Sequence, residues 1–168
     1  DFIIGNSKKL SKYLSKIIKY NIQTITPYID IISVKKRYNK ILRLVWVGRN
    51  SPEKNIDDFI NSLHLLKNLN IKILIVTNKN IRNIKKRIPL SFKKDTNFIK
   101  FNKKNNLNNK LYYNSDILVN TSLYEGFPNV IAEAINHKCL IITSDSFGGK
   151  NDLIKSEKYG LVYKTKNF

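Results

Sequence analysis

Acidic residues are scarce: 12 Asp and Glu stand against 31 Lys and Arg, a formal net charge of +19 over 168 residues. Met is absent and Cys occurs once. A lone cysteine excludes a disulfide framework and a cysteine-based metal site, and it fits a reducing compartment. Cys139 opens the apolar run Cys139-Leu-Ile-Ile142, so it reads as a small buried hydrophobe rather than a nucleophile. His64 and His137 lack metal-ligand spacing. No apolar run approaches the roughly 18 to 20 residues of a membrane span, and no signal-peptide pattern is visible. Without an initiator Met, the chain is expected to be a piece of a longer one. The length suits one ordinary domain, or a domain with a remnant of another.

The cationic excess alone suggests nucleic acid or an anionic membrane surface. It is mostly Lys and accompanies abundant Asn and Ile, as a shared compositional drift would produce. Its pairs (Lys8-Lys9, Lys35-Lys36, Lys85-Lys86, Lys93-Lys94, Lys103-Lys104) are scattered rather than gathered on one helix face. Solvated faces are therefore expected, with no specific nucleic-acid site. Attraction to an anionic membrane surface stays open, since each Lys near such a surface contributes roughly 1 kcal/mol.

Taken in order, the chain alternates short apolar runs with amphipathic stretches. Residues 2–5 predict a strand and 8–20 a helix capped by Ser7, with Leu10, Leu14, Ile17 and Ile18 on one side. A strand ending at Pro27 follows. Residues 34–40 are charged and without period, as a linker between domains would be. Strands are expected at 41–47, 71–77, 97–101, 117–121, 141–143 and 160–163. The helix over 55–69 should turn Phe59, Ile60, Leu63, Leu66 and Leu69 inward, with Asp57 and Asp58 favouring its dipole. Shorter helices are expected at 81–87, 107–114, 128–136 and 151–156. Continuous apolar strands alternating with helices predict an α/β fold with a doubly wound parallel sheet.

The most informative stretch is Ser122-Leu-Tyr-Glu-Gly-Phe-Pro-Asn-Val-Ile-Ala-Glu-Ala134, which follows the apolar run Ile117-Leu-Val-Asn-Thr121. Pro128 suits the first turn of a helix, so the stretch reads as a strand-to-helix corner. In an open α/β sheet such corners gather at the strands' carboxyl ends, and unpaired amides at a helix start favour an anion. Gly126 lets a ligand approach the main chain, and Glu125 and Glu133 bracket the turn with seven residues between them. Amides for phosphate and carboxylates for vicinal hydroxyls together describe a nucleotide sugar. Arg49 and Lys54 flank another strand-end loop. They are either a phosphate-binding pair or an Arg paired with Glu53 beside a solvated Lys.

Two segments carry a family resemblance. The Glu125-to-Glu133 stretch resembles the Glu-seven-Glu motif of retaining glycosyltransferases of the group-1 (GT4-like) family, which have the two-domain GT-B fold. Val45-Trp-Val-Gly-Arg-Asn-Ser-Pro-Glu-Lys-Asn55 is similar to that family's Gly-Arg and Glu-Lys phosphate-binding segment. The resemblance implies a Rossmann-like, nucleotide-sugar-binding C-terminal domain over 41–168, truncated at its end. Residues 1–33 would then end the acceptor domain.

It further implies catalytic roles for Arg49, Lys54 and Glu125. Arg49 and Lys54 would hold the diphosphate, and Glu125 the hydroxyls of the transferred sugar. Gly48, Gly126, Phe127, Pro128, Asn129, Val130, Glu133 and Lys100 would contribute to donor binding, with Glu133 on the ribose and Lys100 beside the base.

No cofactor or metal is expected beyond the nucleoside-diphosphate sugar. The acceptor would be a glycan or lipid-linked, reached through the missing domain, and the location cytoplasmic, at or near the inner membrane face. Transfer of a hexose-type sugar is the implied reaction. A non-catalytic sugar-nucleotide-binding subunit and a Lys-rich polyanion-binding module are the alternatives.

The sequence also departs from the family. Residues 27–30 lack the usual Asn-Gly, a glycine-rich turn is replaced by Thr77-Asn-Lys-Asn80, and Lys138 stands where relatives carry a helix-ending Gly. A helix end through Asn136, without Lys138 in a left-handed conformation, is therefore expected. Gly148-Gly149 matches a paired glycine in relatives.

Overall fold

A computed structural model describes residues 3–27, 40–101, 108–148, 150–154, 156–157 and 160–165. Residues 34–39 of the expected 34–40 linker, Gly149 and residues 102–107 of the Asn-rich stretch lie outside the described residues. Ten strands and six α-helices are described: β1 (Ile4–Gly5), α1 (Lys8–Ile18), β2 (Gln23–Thr24), β3 (Leu42–Val47), α2 (Ile56–Leu65), β4 (Ile71–Thr77), α3 (Ile81–Arg87), β5 (Thr96–Lys100), α4 (Asn108–Tyr113), β6 (Ile117–Asn120), β7 (Tyr124–Glu125), α5 (Asn129–Asn136), β8 (Leu140–Ser144), β9 (Phe147–Gly148), α6 (Lys150–Leu153) and β10 (Leu161–Tyr163).

Six strands form one sheet in the order β10-β8-β6-β3-β4-β5. Every pairing in it is parallel. The chain starts at the centre with β3, runs outward through β4 and β5, and returns to the other side of β3 as β6. That reversal between β3 and β6 is a topological switch point, where open α/β sheets form their ligand crevice.

Alternation along β3 divides the core. Leu44 and Trp46 join Ile56, Phe59, Ile60 and Leu63 of α2 and Ile84 of α3 on one face. Val45 on the other face packs with Tyr112 of α4 and Ile131 and Ala134 of α5. Both faces are covered, which is why these strands read as continuous apolar runs. Leu69, expected inward, is 54% exposed because α2 ends four residues earlier, at Leu65. Beyond that end no helical periodicity turns Leu69 toward the sheet.

The N-terminal segment forms its own two-stranded parallel sheet from β1 and β2. Ser7 caps α1 as expected, accepting from the Leu10 amide. Ile17 and Ile18, expected on the packed side, are exposed, whereas Ser11 is buried. The helix approaches β1 so closely that a Cβ at Gly5 would lie 2.2 Å from the Ser11 hydroxyl oxygen, so any side chain at position 5 would force a shift. Among the described residues no helix is long and apolar enough to cross a membrane.

Candidate functional site at the switch point

After β3 the chain passes Gly48 and Arg49 into a single 3-10 turn, Pro52–Lys54. Gly48 is buried against Trp46, whose ring would stand 2.8 Å from a Cβ at that position. Asn55 follows at φ 45°, a left-handed conformation that Asn tolerates, and turns the chain into α2.

After β6 the expected direct step into a helix is interrupted. Tyr124–Glu125 forms the short strand β7, paired in parallel with β9, and α5 begins at Asn129 with Pro128 at its N-cap. Pro128 therefore precedes the first helical residue rather than occupying it. The pairing depends on Gly148, at φ +132°, because Glu125 presents its carbonyl where a Cβ would be.

Three hydrogen bonds stitch these two loops together. Leu123 N donates to the Glu53 carbonyl at 2.8 Å, the Thr121 hydroxyl to the Lys54 carbonyl at 2.8 Å, and Trp46 Nε1 to Thr121 Oγ1 at 3.0 Å. The result is a charged contact across the switch point: Lys54 Nζ lies 2.5 Å from Glu125 Oε1, with both side chains mostly buried. Ser122 Oγ is 2.7 Å from the same oxygen and 2.8 Å from Asn120 Oδ1, so its one proton serves either acceptor. Lys carries three N–H donors, and the Glu125 bond uses one.

Arg49 differs. Its side chain is 64% exposed, and its Nη2 binds Glu53 Oε1 at 3.0 Å. The Ser51 hydroxyl, donated to that same oxygen, together with the Arg49 charge holds Glu53 below the usual carboxylate range. The pairing of Arg49 with Glu53 is thus present, and Lys54 is the cation built into the corner.

Gly126 also has a definite neighbour. A Cβ there would lie 2.7 Å from Asn6 Nδ2, so the glycine makes room for the N-terminal segment. The same segment is fixed where Lys8 N donates to Asp152 Oδ2 at 2.9 Å. Phe127 lines a cavity of about 390 Å³ with Thr26, Pro27, Ala132 and Ile135. Asn129 is exposed, its amide donating to the Phe127 carbonyl, and Val130 packs into the core.

Glu133 lies one helical turn further along α5. The Tyr112 hydroxyl donates to its Oε2 at 2.9 Å, and His137 Nδ1 lies 2.8 Å from its carbonyl oxygen. Burial raises the Glu133 pKa, partly countered by the Tyr112 bond and the His137 charge. Tyr112 was not singled out from sequence. Its only signal is an aromatic in a short polar helix immediately before β6.

Lys100 ends β5, exposed, beside a cavity of about 440 Å³ shared with Lys79, Asn80 and Arg82. The glycine-free turn forms as expected, with Asn80 at φ 61°. Three buried side-chain groups without a hydrogen-bond partner among the described residues, Asn55 Nδ2, Thr77 Oγ1 and Asn120 Nδ2, lie in or beside the strand-end loops of β3, β4 and β6. Buried polar groups are normally paired, so water or a polar ligand at this edge would satisfy them.

The sequence profile of the family described as glycosyl transferases group 1 matches residues 28–168. The chain belongs to this family. Among curated proteins it is 28% identical, over 95% of its own length and 45% of the relative's, to the Campylobacter jejuni "GalNAc-alpha-(1->4)-GalNAc-alpha-(1->3)-diNAcBac-PP-undecaprenol alpha-1,4-N-acetyl-D-galactosaminyltransferase". The chain thus spans under half of that relative.

Solved structures agree in fold. A TarM variant from S. aureus, in complex with fondaparinux, alpha-GlcNAc-glycerol and UDP, superposes with a TM-score of 0.83 at 22% identity, over 99% of this chain and 34% of that one. Anabaena Alr3699/HepE with UDP-glucose gives 0.80 at 16% identity, over 99% and 50%. The lipopolysaccharide-biosynthesis glycosyltransferase WaaG gives 0.79 at 17%, over 98% and 50%. The group-1 chain has the Rossmann-like half of the GT-B fold.

Proposed function

We propose that this chain is the donor-binding part of a retaining glycosyltransferase, moving a hexose-type sugar from a nucleoside-diphosphate sugar to a glycan or lipid-linked acceptor. The observation that carries the proposal is the Lys54–Glu125 pair across the β3/β6 switch point. It sets a cation for phosphate beside a carboxylate for hydroxyls, in the crevice where such folds take nucleotides. The Campylobacter relative, named for transfer of an N-acetylated sugar to an undecaprenol-linked acceptor, supports a lipid-linked acceptor for the whole protein.

Breaking the bond between the anomeric carbon and the phosphate oxygen leaves an oxocarbenium-like sugar and added negative charge on the nucleotide. Donors already aimed at that phosphate lower the barrier. Lys54 offers two further N–H groups, and the exposed Arg49 can exchange Glu53 for phosphate oxygens. The amides near Gly126 and Phe127 add to the cradle. Glu125, held by Lys54 and Ser122, accepts from hydroxyls of the transferred sugar, and Glu133 from the ribose.

The test is calorimetric titration of UDP and UDP-N-acetylgalactosamine into the chain and its Lys54→Ala variant. Loss of roughly tenfold or more in affinity for both ligands is expected. Equal affinity in wild type and variant would remove Lys54 from the site and the proposal with it. Retention is read separately, from the anomeric configuration of the product made by the full-length enzyme.

A further inference from the structure

We infer that Tyr112 is a positioning residue for Glu133, holding its carboxylate in the orientation that grips the nucleotide's ribose. The inference rests on the ribose role proposed for Glu133. Tyr112 is wholly buried, packed beneath α5 with Val45, Leu118 and Ile131. Packing alone would be met by phenylalanine. A buried phenolic hydroxyl needs a partner, and the one it has is the Oε2 of a half-exposed carboxylate on the helix that opens at the switch-point corner.

Tyr112 itself is fixed from two sides. Its carbonyl oxygen accepts from the Ser115 amide at 3.1 Å and lies 3.4 Å from the Cys139 thiol, whose one proton also has the Ser115 carbonyl at 3.3 Å, and the His137 ring lies 5.5 Å from its ring, centroid to centroid. With backbone and ring anchored, the hydroxyl has one direction. A carboxylate offers about four acceptor positions, and Tyr112 takes one. The bond thus costs Glu133 little acceptor capacity while removing much of its rotational freedom before the ligand arrives, which is preorganisation.

The same bond favours the ionised carboxylate. Burial pushes the Glu133 pKa up, and Tyr112 donation opposes that shift. Among the described residues, Tyr112 from α4 and His137 from the end of α5 act on its charge, and Cys139 lies behind Tyr112. A diol is bound better by the carboxylate than by the acid, so ribose affinity should fall as pH drops through the Glu133 pKa. Without the phenol that fall begins at higher pH.

The experiment measures UDP and 2′-deoxy-UDP affinity across an acid-to-neutral pH series, for wild type, Tyr112→Phe, Glu133→Gln and the double variant. Wild type should prefer UDP. Tyr112→Phe should erase most of that preference, by roughly tenfold, leave 2′-deoxy-UDP affinity nearly unchanged and move the acid limb of UDP binding upward. In the Glu133→Gln background Tyr112→Phe should change nothing further. Glu133→Asp keeps the charge but withdraws it from Tyr112 by one methylene, and should also lose the preference. It serves as the independent variant if Tyr112→Phe fails to fold.

Preference lost in Glu133→Gln but retained, with an unmoved acid limb, in Tyr112→Phe would overturn the positioning role alone. The same holds for preference retained in Glu133→Asp. Preference retained in Glu133→Gln would overturn the ribose role and this inference together. Absence of UDP binding in wild type would overturn the proposed function as well.

Discussion

Gly148 has φ +132°, and a Cβ built there would lie 1.4 Å from the Glu125 carbonyl oxygen. Its side-chain-free backbone therefore allows β9 to pair with β7, and through that pair sets the position of Glu125. Gly148→Ala should force β9 away, lowering stability by about 2 kcal/mol or more and weakening UDP-sugar binding. Denaturant midpoints and calorimetry check this, and an unshifted midpoint would show that the strand pair is dispensable.

A second residue-scale expectation follows from Glu133. Its pKa is raised above 4.5, so the folded chain holds that proton to higher pH than the unfolded chain does. The group favours folding most at low pH, and the advantage disappears as pH rises between its unfolded and folded pKa values. Glu133→Gln does not titrate. Relative to wild type it should therefore gain stability as pH rises from the ordinary carboxylate range until Glu133 has ionised in the folded chain, as read from urea midpoints. A constant difference between the two would contradict the assignment.

At the scale of elements, α5 ends in a way the residue types disguise. His137 is the C-cap and Lys138 follows at φ 57°, so the expectation that Lys138 would avoid the left-handed region is wrong. The physical reason is two bonds: Lys138 N donates to the Ile135 carbonyl and Cys139 N to the Ala134 carbonyl, each at 2.9 Å. This is a Schellman closure. Its two bonds and the burial of Cys139 outweigh a left-handed penalty of order 1 kcal/mol. Lys138→Gly should accordingly raise stability by about 0.5 to 1 kcal/mol, seen as a higher thermal midpoint with unchanged UDP affinity.

β4 and α3 matched their expected bounds because apolar runs and breakers such as Asn80 are local signals. β7 was invisible because two residues pairing with a segment over twenty positions away leave no period of their own. The charge types singled out Lys54 and Glu125 as residues of the strand-end loops, but their direct pairing was not among the expectations. Which cation is buried, and that Glu133 faces Tyr112, depended on packing, which no spacing encodes.

Across the whole molecule, β3 and β6 are fastened at both ends, and the two fastenings are unlike. At the amino ends Arg43 grips Asp116 through Nε to Oδ2 at 3.1 Å and Nη2 to Oδ1 at 3.3 Å, with the Arg43 amide on Oδ2 at 2.9 Å. At the carboxyl ends Lys54 meets Glu125. In this class of sheet only the carboxyl edge faces ligand, so the first pair should serve folding and the second should serve binding. Asp116→Ala leaves a partly buried guanidinium without its carboxylate and should cost about 2 to 3 kcal/mol while UDP affinity holds in the folded fraction. Lys54→Ala leaves the mostly buried Glu125 with only Ser122 among the described residues, should likewise cost about 2 to 3 kcal/mol, and should in addition reduce UDP affinity by roughly tenfold or more. Measuring both quantities on both variants separates the roles. If the Asp116 variant lost affinity as steeply as the Lys54 variant, the crevice would extend to both edges of the sheet, and the division of labour between its ends would be refuted.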